Sequence, residues 1–166
     1  MVEMHLAAVK VERPTSTPIL LLQEVSGAER TLPIYIGANE ATAIAYALRG
    51  VVTPRPMTHD LLRDLLADLG ATVECVVITE LRDRTFFAEI RLMCNGQRHT
   101  VSARPSDAIA LAVRVSTTIY VEDALLDAEG VVLHDEEEAE AIPESDELLS
   151  QFKEFIDGIR PEDFDA

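Results

Sequence analysis

Hydrophobic and polar residues near the start of the chain form three β-rich runs, and in the first run they alternate loosely with the period of two typical of a half-buried β-strand. These runs predict strands at residues 4–12, 18–25 and 30–36. A short loop with Ser26 and Gly27 separates the second run from the third, so we expect those two strands to form a hairpin. The fold is therefore predicted to begin as antiparallel β-structure.

A later hairpin is predicted around Asn95 and Gly96, because Asn-Gly between two β-rich runs favours a two-residue type I′ turn. A loop of two residues places Cys94 opposite Gln97 and fixes the register of every pair beyond it.

Between and after these strands, hydrophobic residues recur at helical spacing in three stretches. The first helix is predicted between Asn39, as its N-cap, and Gly50. The second helix is predicted from Thr58, as its cap, to Gly70, and the third begins at Pro105, whose fixed φ suits a first turn. The second helix carries a leucine stripe formed by Leu61, Leu62, Leu65, Leu66 and Leu69.

The order of these elements predicts an α+β fold, in which helices pack against an antiparallel-rich β-sheet or partial barrel. Residues 1–133 are expected to form this domain, and residues 134–147 an acidic connector that buries little. Residues 148–166 are expected to form a C-terminal helix and tail that dock on the domain or on a partner.

The formal net charge of −16 is unevenly distributed. Residues 1–133 contain 12 Lys and Arg against 17 Asp and Glu, a net charge of −5, whereas residues 134–166 contain 2 against 13, a net charge of −11. Nucleic-acid-binding proteins usually present a basic face. The overall charge therefore argues against a polyanion as ligand, although the folded part is only mildly acidic.

The two cysteines are predicted not to pair, because the strand register places Cys75 opposite about Ile90 rather than Cys94. Unpaired cysteines are typical of the reducing cytoplasm. The N-terminus lacks the pattern of a signal peptide, and no apolar stretch approaches the roughly 20 residues of a membrane helix. We therefore expect a cytoplasmic protein with no membrane partner.

The stretch RPSDAIALAVR, residues 104–114, combines a helix start with an unexplained cation. Helix capping alone accounts for Pro105, Ser106 and Asp107, and an acid there favours the helix dipole by about 0.3–1 kcal/mol. Arg104 is left over, because a cation is unfavourable beside a helix N-terminus. It either pairs with an acid or binds a phosphate together with the free N–H groups.

The stretch RPMTHDLL, residues 55–62, repeats this arrangement and adds His59. Histidine can act as a general base near neutral pH or bind a metal. Asp60 beside it can orient the histidine or bind the metal itself. The simpler interpretation is a surface histidine in a first turn. For Glu40, on the first helix, capping is likewise the default role.

Standard catalytic patterns are absent from the sequence: it contains no GxSxG, HExxH, Walker or GxGxxG motif and no Cys/His cluster. The residues by themselves thus predict a cytosolic α+β domain with two arginine-flanked helix starts.

Three segments, LPIYIGANEATAIA, RPMTHDLL and RPSDAIALAVR, resemble the bifunctional nuclease (BFN) domain family of bacteria and plants in order and spacing. The resemblance covers roughly residues 1–133, and the C-terminal part is similar to the extension of actinobacterial members. It implies an α+β fold, a homo-oligomer with a dimer favoured, and nuclease activity on DNA and RNA with little sequence preference.

The resemblance also supplies candidate site positions, to which we assign the roles ourselves. Binding of the phosphodiester is assigned to four potential donors: Arg55, Thr58, Arg104 and Ser106. Catalysis is assigned to His59, Asp60 and Asp107. A divalent metal that activates water, Mg²⁺ or Mn²⁺, is assigned to three carboxylates: Asp60, Asp107 and Glu40. This arrangement requires that the two helix starts face one cleft.

The alternative is a non-catalytic regulatory or assembly module. The motifs would then fix helix starts and subunit contacts, and the acidic tail would bind a partner. The negative charge favours this alternative, because phosphate binding receives no help from the overall field. A third interpretation is that the tail covers a nucleic-acid groove of its own chain.

Overall fold

The computed structural model describes residues 1–12 and 14–132. Along this part of the chain the elements are β1 (Val2–Glu12), β2 (Thr17–Glu24), β3 (Arg30–Tyr35), α1 (Ala38–Leu48), α2 (Thr58–Asp68), β4 (Ala71–Arg82), β5 (Thr85–Cys94), β6 (Gln97–Ala103), α3 (Pro105–Val115), β7 (Thr118–Val121), α4 (Asp123–Glu129) and β8 (Val131–Val132). The acidic connector and the C-terminal helix predicted from the sequence lie outside the described residues.

The strands form one sheet in the order β6-β5-β4-β7-β1-β2-β3-β8. Neighbouring strands run antiparallel, except that β4 and β7 are parallel because α3 provides the crossover before β7. The sheet has edges at β6 and β8 and does not close into a barrel. The predicted α+β class with an antiparallel-rich sheet is confirmed.

Turn chemistry determined the register where the sequence contained a clear signal. Cys94 pairs with Gln97 across the turn between β5 and β6, as Asn-Gly predicted. Cys75 lies opposite Arg91, one residue from the predicted partner, because the hairpin turn consists of only two residues, Asp83 and Arg84, and the ladder shifts once between this turn and Cys75, at Ile78 to Glu80. Both cysteines are free thiols.

The helix boundaries agree with prediction at α3 and differ at α1 and α2. Pro105 is the first residue of α3, as predicted, with Arg104 as the N-cap. The N-caps of α1 and α2 are Gly37 and Met57 rather than the predicted Asn39 and Thr58, which lie inside the first turn. The preference for a polar N-cap misplaces these two helix starts, because neither Gly37 nor Met57 makes a side-chain cap hydrogen bond.

Helix α3 occupies the centre of the helical layer. Five consecutive residues from Ala108 to Ala112 are almost fully buried, and the helix contacts β4, β5 and β7 beneath it. Helices α1 and α2 both pack against α3. The starts of three helices are thereby held near one another.

None of the helices in residues 1–12 and 14–132 is long and apolar enough to cross a membrane.

Candidate functional site

The first turns of α1, α2 and α3 line one groove of about 410 Å³, which we call the helix-start groove. In each helix the first backbone N–H bonded within the helix belongs to the fourth residue: Ala41, Leu61 and Ala108. The N–H groups before these residues, to which Pro105 contributes none, and the helix dipoles favour an anion in the groove. The third residue of each helix, however, is an acid: Glu40, Asp60 and Asp107.

His59 and Asp107 connect two of these helix starts. His59 is buried, and its Nε2 atom lies 3.1 Å from Oδ1 of Asp107. Burial raises the pKa of Asp107, but hydrogen bonds from Arg104 and His59 outweigh burial, so that the pKa lies below its ordinary value. Asp107 is therefore ionised near neutral pH and accepts both hydrogen bonds.

Arg104 connects the third helix start to the same cluster. Its Nε donates to Oδ2 of Asp107 at 2.6 Å, and its Nη2 lies 2.9 Å from Oε1 of Glu40. The hydrogen bond with Asp107, and then that with Glu40, raises the pKa of Arg104. The side chain is nevertheless 66% exposed, so its guanidinium is accessible from solvent. Pairing with acids accounts for the cation that capping left unexplained, and phosphate binding by Arg104 stays a prediction.

Gly37 allows Glu40 to take this position. A Cβ atom at residue 37 would overlap Oε2 of Glu40. The Glu40 carboxylate thus folds back over the N-cap of its own helix while its other oxygen meets Arg104. A side chain at this N-cap would have to displace the carboxylate.

Asp60 does not line the helix-start groove, although it follows His59 in sequence. Its Oδ1 accepts a 2.6 Å hydrogen bond from Nε of Arg114, and its Oδ2 accepts one of 3.0 Å from the Met57 backbone N–H. Arg114 is 4% exposed and also donates to the carbonyl oxygens of Ala43 and Ala110. Burial raises the pKa of Asp60, but the Arg114 and Met57 bonds outweigh burial and lower it. The arrangement ties α1, α2 and α3 together.

The remaining predicted site residues are divided between different places. Thr58 lines the helix-start groove, and Ser106 is buried beside a neighbouring groove that also contacts Arg104. Arg55 lies in an exposed loop, where its carbonyl oxygen accepts a hydrogen bond from Thr53. The structure thus brings together Glu40, Thr58, His59, Arg104 and Asp107, and it does not place Arg55 or Asp60 among the residues that line this groove.

The carboxylates predicted to bind a metal do not form one donor set. Among residues 1–12 and 14–132, no group of three or more His, Cys, Asp or Glu side chains is arranged to hold a metal ion. Asp60 faces Arg114, and both Glu40 and Asp107 bind Arg104, a cation. The arrangement does not fit the predicted three-carboxylate site, and a metal requirement stays a prediction.

Arg114 is the residue that the sequence interpretation missed. It ends the RPSDAIALAVR stretch, and the available signal was an arginine in an otherwise apolar helix. A charged residue in a buried helix requires a partner acid, and Asp60 supplies it.

Comparison with known proteins gives both bacterial and plant relatives. A family model, that of the bifunctional nuclease domain, matches residues 20–134. An uncharacterized protein of Mycobacterium tuberculosis (strain H37Rv) is 46% identical over 166 residues, covering 99% of this chain and 98% of the relative.

The plant relatives are more distant. Bifunctional nuclease 2 of Oryza sativa subsp. japonica is 30% identical over 118 residues, covering 69% of this chain and 36% of the relative. Bifunctional nuclease 2 of Arabidopsis thaliana is 29% identical over 140 residues, covering 82% of this chain and 42% of the relative. The chain therefore spans less than half the length of these two plant proteins.

Proposed function

The chain belongs to the bifunctional nuclease domain family, and we propose on this basis that it hydrolyses phosphodiester bonds of DNA and RNA with little sequence preference. The observation that carries the proposal is the contact between His59 and Asp107 where three helix starts meet. A histidine oriented by an ionised carboxylate is a suitable general base, and helix N-termini suit a phosphate.

In this proposal Asp107 determines the tautomer of His59. An ionised carboxylate only accepts hydrogen bonds, so Nε2 of the neutral imidazole carries the proton and donates it toward Asp107. Nδ1 is then the nitrogen with a free lone pair. It takes the proton from the attacking water as the water oxygen bonds to phosphorus and the P–O bond to the leaving nucleotide oxygen breaks. The Asp107 carboxylate stabilises the imidazolium that forms, and this imidazolium returns its proton to solvent while the leaving oxygen takes one from water.

Phosphate binding is proposed for Arg104, Thr58 and the first-turn N–H groups of the three helices. These groups contact the phosphate and not the base edges. Because phosphate contacts carry no sequence information, this binding mode predicts little sequence preference. Glu40 and Asp107 repel a phosphate, so we propose that Arg104 turns partly toward the substrate while it keeps one carboxylate partner. A phosphate contact by Arg55, in its exposed loop, and a contribution from Ser106 remain predictions.

The role that the geometry supports for Asp60 is positional. Because Arg114 and the Met57 N–H engage its two oxygens, we propose that Asp60 holds the α2 start against α3 and takes no part in the chemistry.

The deciding experiment is a cleavage assay on single-stranded DNA and RNA oligonucleotides with rigorously purified protein. Asp107→Asn keeps the size of the side chain but removes its charge, and we expect cleavage to fall sharply. The matched control is Asp68→Asn, an exposed carboxylate at the end of α2. Equal activity of the two variants and the parent would overturn the proposal.

Chelation tests the metal requirement separately. If a divalent ion assists, EDTA abolishes cleavage, and Mg²⁺ or Mn²⁺ restores it. If cleavage persists in EDTA, catalysis does not depend on a divalent ion, and the acid–base chemistry is assigned to His59 and Asp107 alone.

A non-catalytic assembly module is the second candidate, and two observations favour it. Both carboxylates around Arg104 already compensate its charge, and α2 exposes Leu61 and Leu65, two apolar side chains one turn apart. This candidate predicts a purified protein that cleaves neither DNA nor RNA under any metal condition.

Two further proposals concern assembly and location. We propose a homo-oligomer, with a dimer as the first expectation, and the exposed leucines of α2 support it. Light scattering on the full chain measures the mass of the particle in solution.

A cytoplasmic location is supported by the free thiols of Cys75 and Cys94.

A further inference from the structure

A second groove, of about 360 Å³, shares Arg104 with the helix-start groove. Its walls come from the end of β3, the turn between β4 and β5, and the start of α3, and we call it the β3 groove. The volume falls within the roughly 300–1,000 Å³ of sites for small molecules. Because Arg104 lines both grooves, a group bound in one lies next to a group bound in the other.

The β3 groove combines an exposed aromatic ring with cations. Tyr35 is 57% exposed, and its hydroxyl donates a 3.0 Å hydrogen bond to Oε1 of Glu12, which holds the phenol in place. Phe86 lines the same groove, as do two arginines, Arg84 and Arg104. None of the described residues that line this groove is an acid, in contrast to the helix-start groove.

The turn that carries Arg84 has an unfavourable backbone. Asp83 and Arg84 have φ of 50° and 62°, the left-handed region that favours glycine. The equivalent turn between β5 and β6 uses Asn95 and Gly96, with φ of 51° and 75°, for the same backbone shape. Arginine thus occupies a position where glycine would be less strained, and its side chain borders a groove. Strain of this kind at a groove points to a functional side chain.

We propose that the β3 groove binds the nucleotide next to the scissile phosphate in a single-stranded segment of nucleic acid. Tyr35 stacks on the base, and Arg84 binds the flanking phosphate, while Arg104, which lines both grooves, stays on the scissile phosphate. The proposal rests on the proposed function, because the helix-start groove must hold the phosphate that is cleaved. Stacking tolerates every base, so the groove adds affinity without adding sequence preference.

A preference for single strands follows from the same chemistry. The base of a paired nucleotide is stacked between its neighbours, and Tyr35 reaches it only after the duplex opens. We therefore expect a single-stranded oligonucleotide to bind at least fivefold more tightly than the duplex of the same sequence. A factor of roughly five is the gain in affinity from one weak stacking interaction between a base and an aromatic ring.

The test is the affinity for fluorescein-labelled oligothymidylate and oligouridylate of about eight nucleotides, measured by anisotropy. Binding is measured in a His59→Gln background, so that cleavage does not interfere. We expect Tyr35→Ala to weaken binding roughly 5- to 100-fold, the effect of losing one base stack. Tyr35→Phe keeps the stacking ring and loses only the hydrogen bond to Glu12, so it should bind much more tightly than Tyr35→Ala and nearly as tightly as the parent.

Arg84→Gly separates function from structure, because glycine suits the left-handed turn. We expect its melting temperature to stay equal or rise while its affinity falls. The control is Arg49→Ala, which removes the same charge at the exposed far end of α1. Its affinity should change little.

Two results would overturn the inference: Tyr35→Ala and Arg84→Gly binding no more weakly than Arg49→Ala, or duplex binding as tightly as single strand. Either result leaves the proposed function intact if the parent still cleaves and Asp107→Asn does not. Conversely, cleavage that survives Asp107→Asn defeats the proposed catalytic role, while the binding measurements still decide whether Tyr35 stacks on a base.

Discussion

The Nε2 atom of His59 lies 3.1 Å from Oδ1 of Asp107, and this contact joins the starts of α2 and α3 across 48 residues of sequence. The other oxygen of the same carboxylate accepts a 2.6 Å hydrogen bond from Nε of Arg104. One aspartate therefore orients a histidine and an arginine at the mouth of a groove. Its ionised state couples the two partners, because protonation of Asp107 would weaken both bonds.

The first expectation concerns this coupling. His59→Gln and Asp107→Asn should each lower cleavage roughly 100- to 10,000-fold, the size of a general-base contribution. The double variant should be no slower than the slower single variant, because each substitution disables the same unit. Initial rates on one single-stranded oligonucleotide measure all three. Losses that multiply in the double variant would contradict a shared role, and His99→Gln, on the exposed edge strand β6, serves as the control.

Asp60→Ala should destabilise the fold more than it affects the chemistry. The substitution leaves the buried guanidinium of Arg114 without its carboxylate, and we expect the free energy of unfolding to fall by about 2–3 kcal/mol. Urea denaturation measures this change. The rate of cleavage per folded molecule should stay within a few-fold of the parent.

The control for this experiment is Asp64→Ala, in the same helix. Asp64 pairs with Arg63 at the surface, so its loss should cost less than about 1 kcal/mol. If folded Asp60→Ala loses cleavage as completely as Asp107→Asn, a purely positional role for Asp60 is wrong.

Glu40→Gln should strengthen the binding of nucleic acid several-fold. Glu40 compensates the charge of Arg104 and lies where it repels a phosphate, and glutamine removes that charge at nearly the same size. Anisotropy at two salt concentrations measures the affinity. Glu129→Gln, at the exposed end of α4, changes the net charge equally and should have a smaller effect. Equal gains in both variants would mean that only net charge matters.

Stability should decline in acid below about pH 4, the ordinary pKa of aspartate. The folded state lowers the pKa of Asp60 and Asp107, so it binds fewer protons than the unfolded chain in this range. Their contribution to stability is complete above the ordinary pKa and is lost as the pH falls through the lowered values. Chemical denaturation between about pH 3 and 6 measures it, and Asp60→Asn should show a shallower decline. An unchanged profile in that variant would refute the assignment.

Local sequence signals predicted the elements well. Loose alternation in the first run and β-rich composition in the next two predicted strands whose ends lie within one or two residues of β1, β2 and β3, and Asn95-Gly96 predicted the register of β5 and β6. Pro105 marked the start of α3. These signals depend on backbone sterics and on the spacing of side chains along one segment, which the sequence contains directly.

Local sequence signals of this kind did not predict which partners the charged side chains bind. The motifs indicated Arg104 and Asp107 together, but not that Asp107 also meets His59, or that Asp60 turns toward Arg114, 54 residues away. Neighbouring residues on a helix point in directions about 100° apart, so His59 and Asp60 face different surroundings once α2 packs on α3.

The sequence by itself therefore determined the class of fold, the positions of three helix starts to within two residues and the residues around which a site was expected. The tertiary structure decided which of them share a groove. It placed Glu40, His59, Arg104 and Asp107 together and Asp60 in a separate ion pair. The physical reason is that the partner of a carboxylate depends on the rotation and packing of whole helices against the sheet, which no local pattern contains.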